Sequence, residues 1–331
     1  MFLSVSLLLN SCKKKSIYNH NTSLLGTIVN LTLITDSEKR ANRSAELVFN
    51  EIGRLEKIMS PFRQESDVYR INNLAMKRPV IVSEETFSLL ETSIETSTRT
   101  NGCFDITFAS ISHLWNFRRN PFVPPRRDEV LKLLPMLDYR HIQLNPDNLS
   151  VKINNRKTRI GLGGIAKGYA INKGIECLRR IGIDCAIVEA GGDLQVIGKK
   201  FNNPWRVGVR NPREKNIILS LTLDDMESIA TSGDYERYVI YKDKRYHHII
   251  DPKTGFPSKT FSSVSVISID PVQSDALATA LFIMGGRKAM QFVKHDKNIS
   301  AVFIDLDMNI SASEELKDRV ILLGNKVIEW F

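Results

Sequence analysis

The 331-residue chain has no apolar run near the roughly 20 residues that a membrane-spanning helix needs, which excludes such a helix. Cysteine is scarce: Cys12, Cys103, Cys177 and Cys185 are the four present, and none stand at Cys-x-x-Cys spacing, so nothing signals a zinc site or a redox motif. Cys177 and Cys185 flank a helix end and read as small buried hydrophobes, with a disulfide as the alternative in an oxidising compartment. Acidic residues are outnumbered, 37 Asp and Glu against 46 Lys and Arg, and the net charge of +9 favours anionic partners. The positive residues lie in scattered pairs, with neither a basic helix nor an aromatic ladder, which disfavours nucleic acid. There is no repeat and no low-complexity linker. What remains is an ordinary globular composition, 42% hydrophobic and 25% charged, long enough to bury a core without disulfides.

At the N-terminus, Phe2 to Leu9 is apolar apart from Ser4 and Ser6, and leads into Leu9-Asn10-Ser11-Cys12 and three lysines. The stretch has the length of a signal-peptide apolar region, and Leu-x-Ser-Cys resembles a bacterial lipobox. Lipidation of Cys12 is expected; a chance cysteine in a frayed start is the alternative. Ser16 to Ser23, mostly polar, reads as a tether. Residues 1–23 therefore separate from a domain over 24–331.

Beyond residue 24 the pattern predicts one α+β unit, mostly antiparallel sheet with packed helices. Leu25 to Ile34 alternates as a strand. Ala41, Ala45, Val48, Ile52, Leu55 and Ile58 give Glu38 to Met59 a helical period. Helices are also expected over Glu84 to Thr100, Asp128 to Leu134, Ile165 to Ile181 (closed by Gly182) and Gln273 to Met284 (ended by Gly285-Gly286). Strands are expected over Ile142 to Ile160 about an Asn-Pro-Asp-Asn turn, and over Cys185 to Val188, Leu194 to Ile197, Trp205 to Val209, Ile217 to Leu223, Val264 to Ile269, Ala301 to Ile304 and Val320 to Leu323. Tyr238 to Tyr241 and Tyr246 to Ile250 form a hairpin.

Three segments carry possible chemistry. Gly161-Leu-Gly-Gly-Ile-Ala-Lys167-Gly168 opens a helix, where backbone N–H groups bind anions and glycines admit a ligand. Lys167 is followed by Gly168, so this is not a Walker A loop. It fits the loose Gly-x-Gly-x-x-Ala dinucleotide pattern, with Glu189 placed to hold a ribose, but the preceding Val151 to Ile160 is too polar for a parallel buried strand. A plain tight turn is the competing reading. In Tyr246-His247-His248-Ile249-Ile250-Asp251-Pro252-Lys253-Thr254-Gly255, Asp251 lies within three residues of His248, close enough to orient an imidazole or bind a cation. In Ser274-Asp275-Ala-Leu-Ala-Thr279-Ala280, Asp275 and Thr279 share a helix face that suits a hard cation. The alternative there is an acid serving the helix dipole.

These segments follow Leu25-Gly26-Thr27, Ser60-Pro61-Phe62, Gly102-Cys103-Phe104-Asp105, and are interleaved with Glu189-Ala-Gly-Gly-Asp193 and Thr231-Ser-Gly-Asp-Tyr235. The ordered series resembles the ApbE family of FAD:protein FMN transferases over roughly residues 24 to 310. The resemblance implies an α+β enzyme that uses FAD and Mg²⁺. It would move FMN to a Thr or Ser hydroxyl of an acceptor flavoprotein, such as a subunit of a membrane electron-transport complex, through a phosphoester bond, with AMP released. It implies a lipid-anchored protein on the periplasmic side of a bacterial membrane, in agreement with Cys12. By position, Asp275, Thr279 and the Gly164 carbonyl match metal ligands. Leu25, Phe62, Cys103, Phe104, Asp105, Lys167 and Ile249 match FAD-contacting positions, and His248 the catalytic histidine. The chain departs from the pattern at Gly161 and Asn172, where Asp is usual, and at Leu25, where Met is usual. A FAD pyrophosphatase and a non-catalytic flavin-binding lipoprotein are the alternatives.

Overall fold

The computed structural model describes residues 14–324 and 326–331. Cys12 and the apolar run before it lie outside the described residues. Among the described residues, no helix is long and apolar enough to cross a membrane.

The chain opens with β1 (Ser16–Leu24) and β2 (Thr27–Thr35), paired antiparallel in unbroken register from Ser16–Thr35 to Leu24–Thr27. The segment expected as a polar tether is therefore a strand of the sheet. Its polarity reflects an edge position: Tyr18, His20, Thr22 and Leu24 are half-buried and alternate with exposed residues. Helix α1 (Glu38–Met59) has the bounds its periodicity predicts and buries Ala41, Ala45, Val48, Ile52 and Leu55. Next come α2 (Asp67–Leu74), β3 (Val80–Ile81), α3 (Glu84–Arg99), α4 (Ala109–Ser112) and α5 (Arg127–Leu133). The Ile142 to Ile160 region resolves into β4 (Ile142–Asn145) and β5 (Ser150–Ile153); the polar stretch after Ile153 is loop. Helix α6 (Ala166–Arg180) leads to the hairpin β6 (Ala186–Ala190) and β7 (Asp193–Ile197).

The second half holds β8 (Trp205–Arg210), β9 (Ile217–Leu223), β10 (Ser228–Gly233), β11 (Tyr238–Tyr241), β12 (Lys244–His247) and β13 (Phe261–Ser268). Helices α7 (Pro271–Met284) and α8 (Gly286–His295) precede β14 (Ser300–Asp305), β15 (Ile310–Ala312), β16 (Val320–Leu322) and β17 (Ile328–Trp330). Nine strands form one sheet in the order β1-β2-β6-β7-β10-β13-β14-β15-β17, antiparallel throughout except for β15 with β17. This pairing excludes the parallel dinucleotide fold, and Glu189 instead accepts a hydrogen bond from Asn30 at 3.2 Å.

The sheet is covered on both faces. Residues of α1, α6 and α7 pack with Val29, Leu31, Val188, Val264 and Val266 in one cluster. Trp205, Leu219 and Leu221, from the three-stranded sheet β16-β9-β8, pack with Val196, Ile229, Ile267 and Val302 in another. Strand β13 therefore buries all of its residues rather than alternating. A third cluster, around Ile111, Trp115, Phe122 and Val130, supports the β11–β12 hairpin and Ile250.

Candidate active site

The site begins where α6 and α7 meet. A Cβ on Gly168 would collide with the Pro271 carbonyl, so only glycine permits this approach. The contact brings the first turn of α6 against Asp275. The Gly168 N–H donates to Asp275 Oδ2 at 3.0 Å, and the Lys167 ammonium lies 3.1 Å from Asp275 Oδ1. Asp275 is not the dipole acid of its helix: Asp270 caps α7 by accepting the Val272 N–H at 2.9 Å.

Lys167 also pairs with Asp193, at the start of β7, just past the Gly191-Gly192 turn. Asp193 Oδ1 accepts the Thr231 N–H at 2.9 Å. Asp193 stands in the motif series of the sequence without a role of its own there. The cue was an acid directly after two glycines in a hairpin turn. Asp193 and Asp275 are both buried, at 2% and 3% exposure. Burial opposes the charge on Lys167, and the two carboxylates outweigh it, so the ammonium is held charged. Burial pushes the Asp193 carboxyl up, with the Asp275 carboxylate adding to that push, because one ammonium cannot satisfy both acids.

Thr279 lies one turn along α7 from Asp275, and its hydroxyl is 3.2 Å from the Ser232 hydroxyl. Gly164 packs against it: a Cβ there would stand 3.4 Å from Thr279 Oγ1 and 3.3 Å from the Phe104 ring. The structure thus brings together Gly164, Lys167, Asp275, Thr279 and Phe104. Among the described residues, no group of three or more His, Cys, Asp or Glu side chains is placed to hold a metal. The oxygens available are the two carboxylates, the Thr279 hydroxyl and backbone carbonyls.

Cys103 and Phe104 are buried beside this cluster, and Lys253 Nζ reaches to 4.0 Å from Cys103 Sγ. Burial raises the Cys103 thiol. The Asp105 carboxylate turns into the protein, accepting from the Thr107 N–H and hydroxyl and from the Tyr139 N–H at 2.8, 2.6 and 2.9 Å. It organises this loop, and burial raises its pKa. Cys103, Cys177 and Cys185 are all free thiols, so the disulfide alternative fails.

The two consecutive histidines divide their roles. His247 is buried; Nε2 bonds to the Ser258 carbonyl at 2.8 Å and Nδ1 accepts the Ile249 N–H at 3.3 Å, a consistent pair for the neutral Nε2–H tautomer. Burial lowers its pKa. His248 lies just past β12, not on it, and is exposed to water. Arg237 flanks it, its carbonyl accepting the His248 backbone N–H at 3.1 Å. Desolvation by the surrounding protein and the positive charges of Arg237 and Lys167 lower its pKa, which leaves the imidazole neutral near pH 7. Asp251 does not orient it; that carboxylate accepts the Lys253 N–H at 2.9 Å and shapes the following turn. The turn is pinned by Trp115, whose indole N–H donates to the Gly255 carbonyl at 3.0 Å. Ile249 is buried behind it.

Leu25 sits in the β1–β2 turn with φ of 57°, its N–H donating to Glu56 at 3.0 Å, and the neighbouring Thr27 packs on Gly191. Phe62 is 88% exposed on the turn after α1, free to stack on a planar ligand. The departures have local consequences. A Cβ at Gly161 would stand 3.1 Å from the Ala109 Cβ and 3.3 Å from the Phe108 ring, so there is little room for an aspartate. Asn172 lies 3.4 Å from Glu176 on α6.

A sequence model of the ApbE family matches residues 25–303. A FAD:protein FMN transferase from Treponema pallidum is 29% identical, covering 94% of this chain and 91% of the relative. One from Vibrio cholerae is 30% identical, covering 87% and 88%. The crystal structure of the ApbE protein of Thermotoga maritima superposes with a TM-score of 0.85 at 33% identity, covering 92% of this chain and 99% of that one. The flavin transferase ApbE of V. cholerae shares the fold, with a TM-score of 0.82 at 24% identity and coverage of 92% and 99%. On the strength of a match over most of the chain, both glycine turns and α7 included, the chain belongs to the ApbE family.

Proposed function

We propose that this protein is a FAD:protein FMN transferase. The observation that carries the reading is the meeting of the Lys167–Asp193–Asp275 charge cluster with Gly164 and Thr279, beside a neutral, water-accessible His248 whose pKa feels the Lys167 charge. FAD is the substrate, and the acceptor is a Thr or Ser hydroxyl of a flavoprotein, such as a subunit of a membrane electron-transport complex.

The donor set fits Mg²⁺. It consists only of hard oxygens, with the Gly164 backbone against the Thr279 hydroxyl and Asp275 one turn away. A cation bound by one or two carboxylates and completed by substrate phosphates and waters is the usual Mg²⁺ arrangement. Asp275, Thr279 and the Gly164 carbonyl are the proposed ligands, and the bound ion would supply charge neutralisation at the pyrophosphate.

Lys167, held charged, binds pyrophosphate oxygens and offsets charge that develops on the leaving AMP. Phe62, Leu25 and the Cys103–Phe104 segment hold the flavin, and Ile249 contributes its backbone. His248 accepts the proton of the acceptor hydroxyl as its oxygen bonds to the FMN phosphorus. The bond from that phosphorus to the AMP oxygen breaks in the same displacement. A phosphoester forms and AMP leaves. Lipidation of Cys12 would place this chemistry on the periplasmic face of a membrane.

The test is incubation with FAD, Mg²⁺ and an acceptor carrying an Asp-Gly-x-Thr segment, followed by mass spectrometry. An FMN adduct on the acceptor threonine, with matching AMP, is expected. AMP and FMN release that ignores the acceptor would make the protein a pyrophosphatase. FAD bound with no AMP released would make it a flavin carrier.

A further inference from the structure

The ion cluster contains more negative charge than its lysine can balance. Asp193 and Asp275 each pair with the single Lys167 ammonium, both are buried, and they reach it from different elements, the β6–β7 turn and α7. Two carboxylates and one ammonium leave a net charge of −1. An uncompensated buried charge is costly, so the cluster suits a further cation. Lys167 already occupies the Oδ1 side of Asp275, and the Gly168 N–H occupies Oδ2. A cation arriving at Asp275 therefore competes with the ammonium for the Oδ1 side of the carboxylate.

We infer that Asp193 is the positioning residue that retains Lys167 when a divalent cation takes over Asp275, so that ammonium and metal ion exchange places on one carboxylate. Asp193 suits this task. Its Oδ1 is fixed by the Thr231 N–H, and its Oδ2 faces the lysine. It is anchored in the sheet, and the proposed ligand helix α7 does not carry it. After the exchange Lys167 remains beside the ion, on the Asp193 side, with its charge available to phosphate. Without Asp193, Lys167 and Asp275 would form a neutral pair that the incoming ion has to break.

The inference rests on the assignment of the divalent ion to Asp275. Its test reads metal binding and not turnover. Mn²⁺, an oxygen-seeking ion visible by electron paramagnetic resonance, is titrated into the folded protein without FAD. Asp193→Asn is close to isosteric and can still accept the Thr231 N–H. It is expected to weaken Mn²⁺ binding about tenfold, equivalent to about 1.4 kcal/mol. Lys167→Met is expected to tighten it several-fold by removing the competing ammonium. The Lys167→Met, Asp193→Asn double variant is expected to return to within about threefold of the parent protein, because Asp193 then has no lysine to hold. A double variant as weak as Asp193→Asn would make Asp193 a metal ligand and overturn the inference. So would an unchanged affinity in Asp193→Asn, or in Lys167→Met, which tests the exchange even if Asp193→Asn does not fold. Parent protein that binds no Mn²⁺ would overturn the metal assignment along with the inference, whereas parent binding that Asp275→Ala abolishes and Asp193→Asn leaves untouched would overturn the inference alone.

Discussion

His247 and His248 are adjacent in sequence and opposite in environment: the first is locked by Ser258 and Ile249, and the second is open to water. His248→Ala is expected to leave FAD bound and melting unchanged while transfer slows by about 10²- to 10⁴-fold, the usual worth of a general base. His247→Ala should do the reverse. It orphans the Ser258 carbonyl and the Ile249 N–H, at a cost of about 1–3 kcal/mol for a buried unsatisfied group. Single-turnover transfer and thermal melts on both variants separate the roles.

Both imidazoles are held below the ordinary histidine range. Transfer should therefore persist as the pH falls through the ordinary histidine pKa of about 6.5, and fail only at lower pH. For stability the sign is opposite to that of a paired histidine. The unfolded chain takes up a proton near pH 6.5 and the folded His247 does not, so stability is full above that pH and declines as pH falls toward the lowered folded pKa. Urea melts across that interval should show the decline, and His247→Gln should reduce it, with His248 supplying the remainder.

Asp275→Ala is expected to abolish Mg²⁺-dependent transfer, and Thr279→Val to weaken it less, since water can replace a neutral ligand. Helix α7 should persist in both, because its cap is Asp270 and alanine favours helices. A Mg²⁺ titration of Asp275→Ala with unchanged midpoint and maximum would remove Asp275 from the metal site.

Gly168→Ala is expected to destabilise the protein by about 1–3 kcal/mol, the usual cost of overpacking. The added methyl must push α6 off the Pro271 carbonyl, which also pulls the Gly168 N–H and Lys167 from Asp275. Activity should fall further than stability alone explains. Melting and transfer assays on this variant and on an exposed Ala control make the comparison.

Cys12→Ala is expected to move the protein from the membrane fraction to the soluble one, because a lipid on Cys12 is the only anchor expected from the sequence. Fractionation of cells expressing each form checks this.

The helices with long apolar periods were legible: α1 carries its signal over 22 residues and its bounds match the pattern. Helix α8 was not, because Gly285-Gly286 reads as a stop, and here the pair ends one helix and begins the next, with Gly285 at φ of 69°. Strand β10, with its Ser, Thr and Gly, has little intrinsic strand character and is a strand because β13 and β7 pair with it. Strand β1 was masked by polarity that suits an edge. In the site, the glycine loop, His248 and the Asp275–Thr279 face stood out as local patterns. Asp193 did not, since its pairing with Lys167 and with Thr231 depends on how a hairpin turn docks on a distant helix.

Because β1 already belongs to the sheet from Ser16, the sequence offers almost no leash. Four residues lie between Cys12 and Ser16 counted inclusively of the latter, and fully extended chain spans at most about 3.6 Å per residue. A lipidated Cys12 would thus hold the first strand within about 14 Å of the bilayer surface. An enzyme so moored cannot wander through its compartment in search of substrates. Its acceptors would have to come to the membrane, and their target hydroxyls to present themselves within one protein diameter of it.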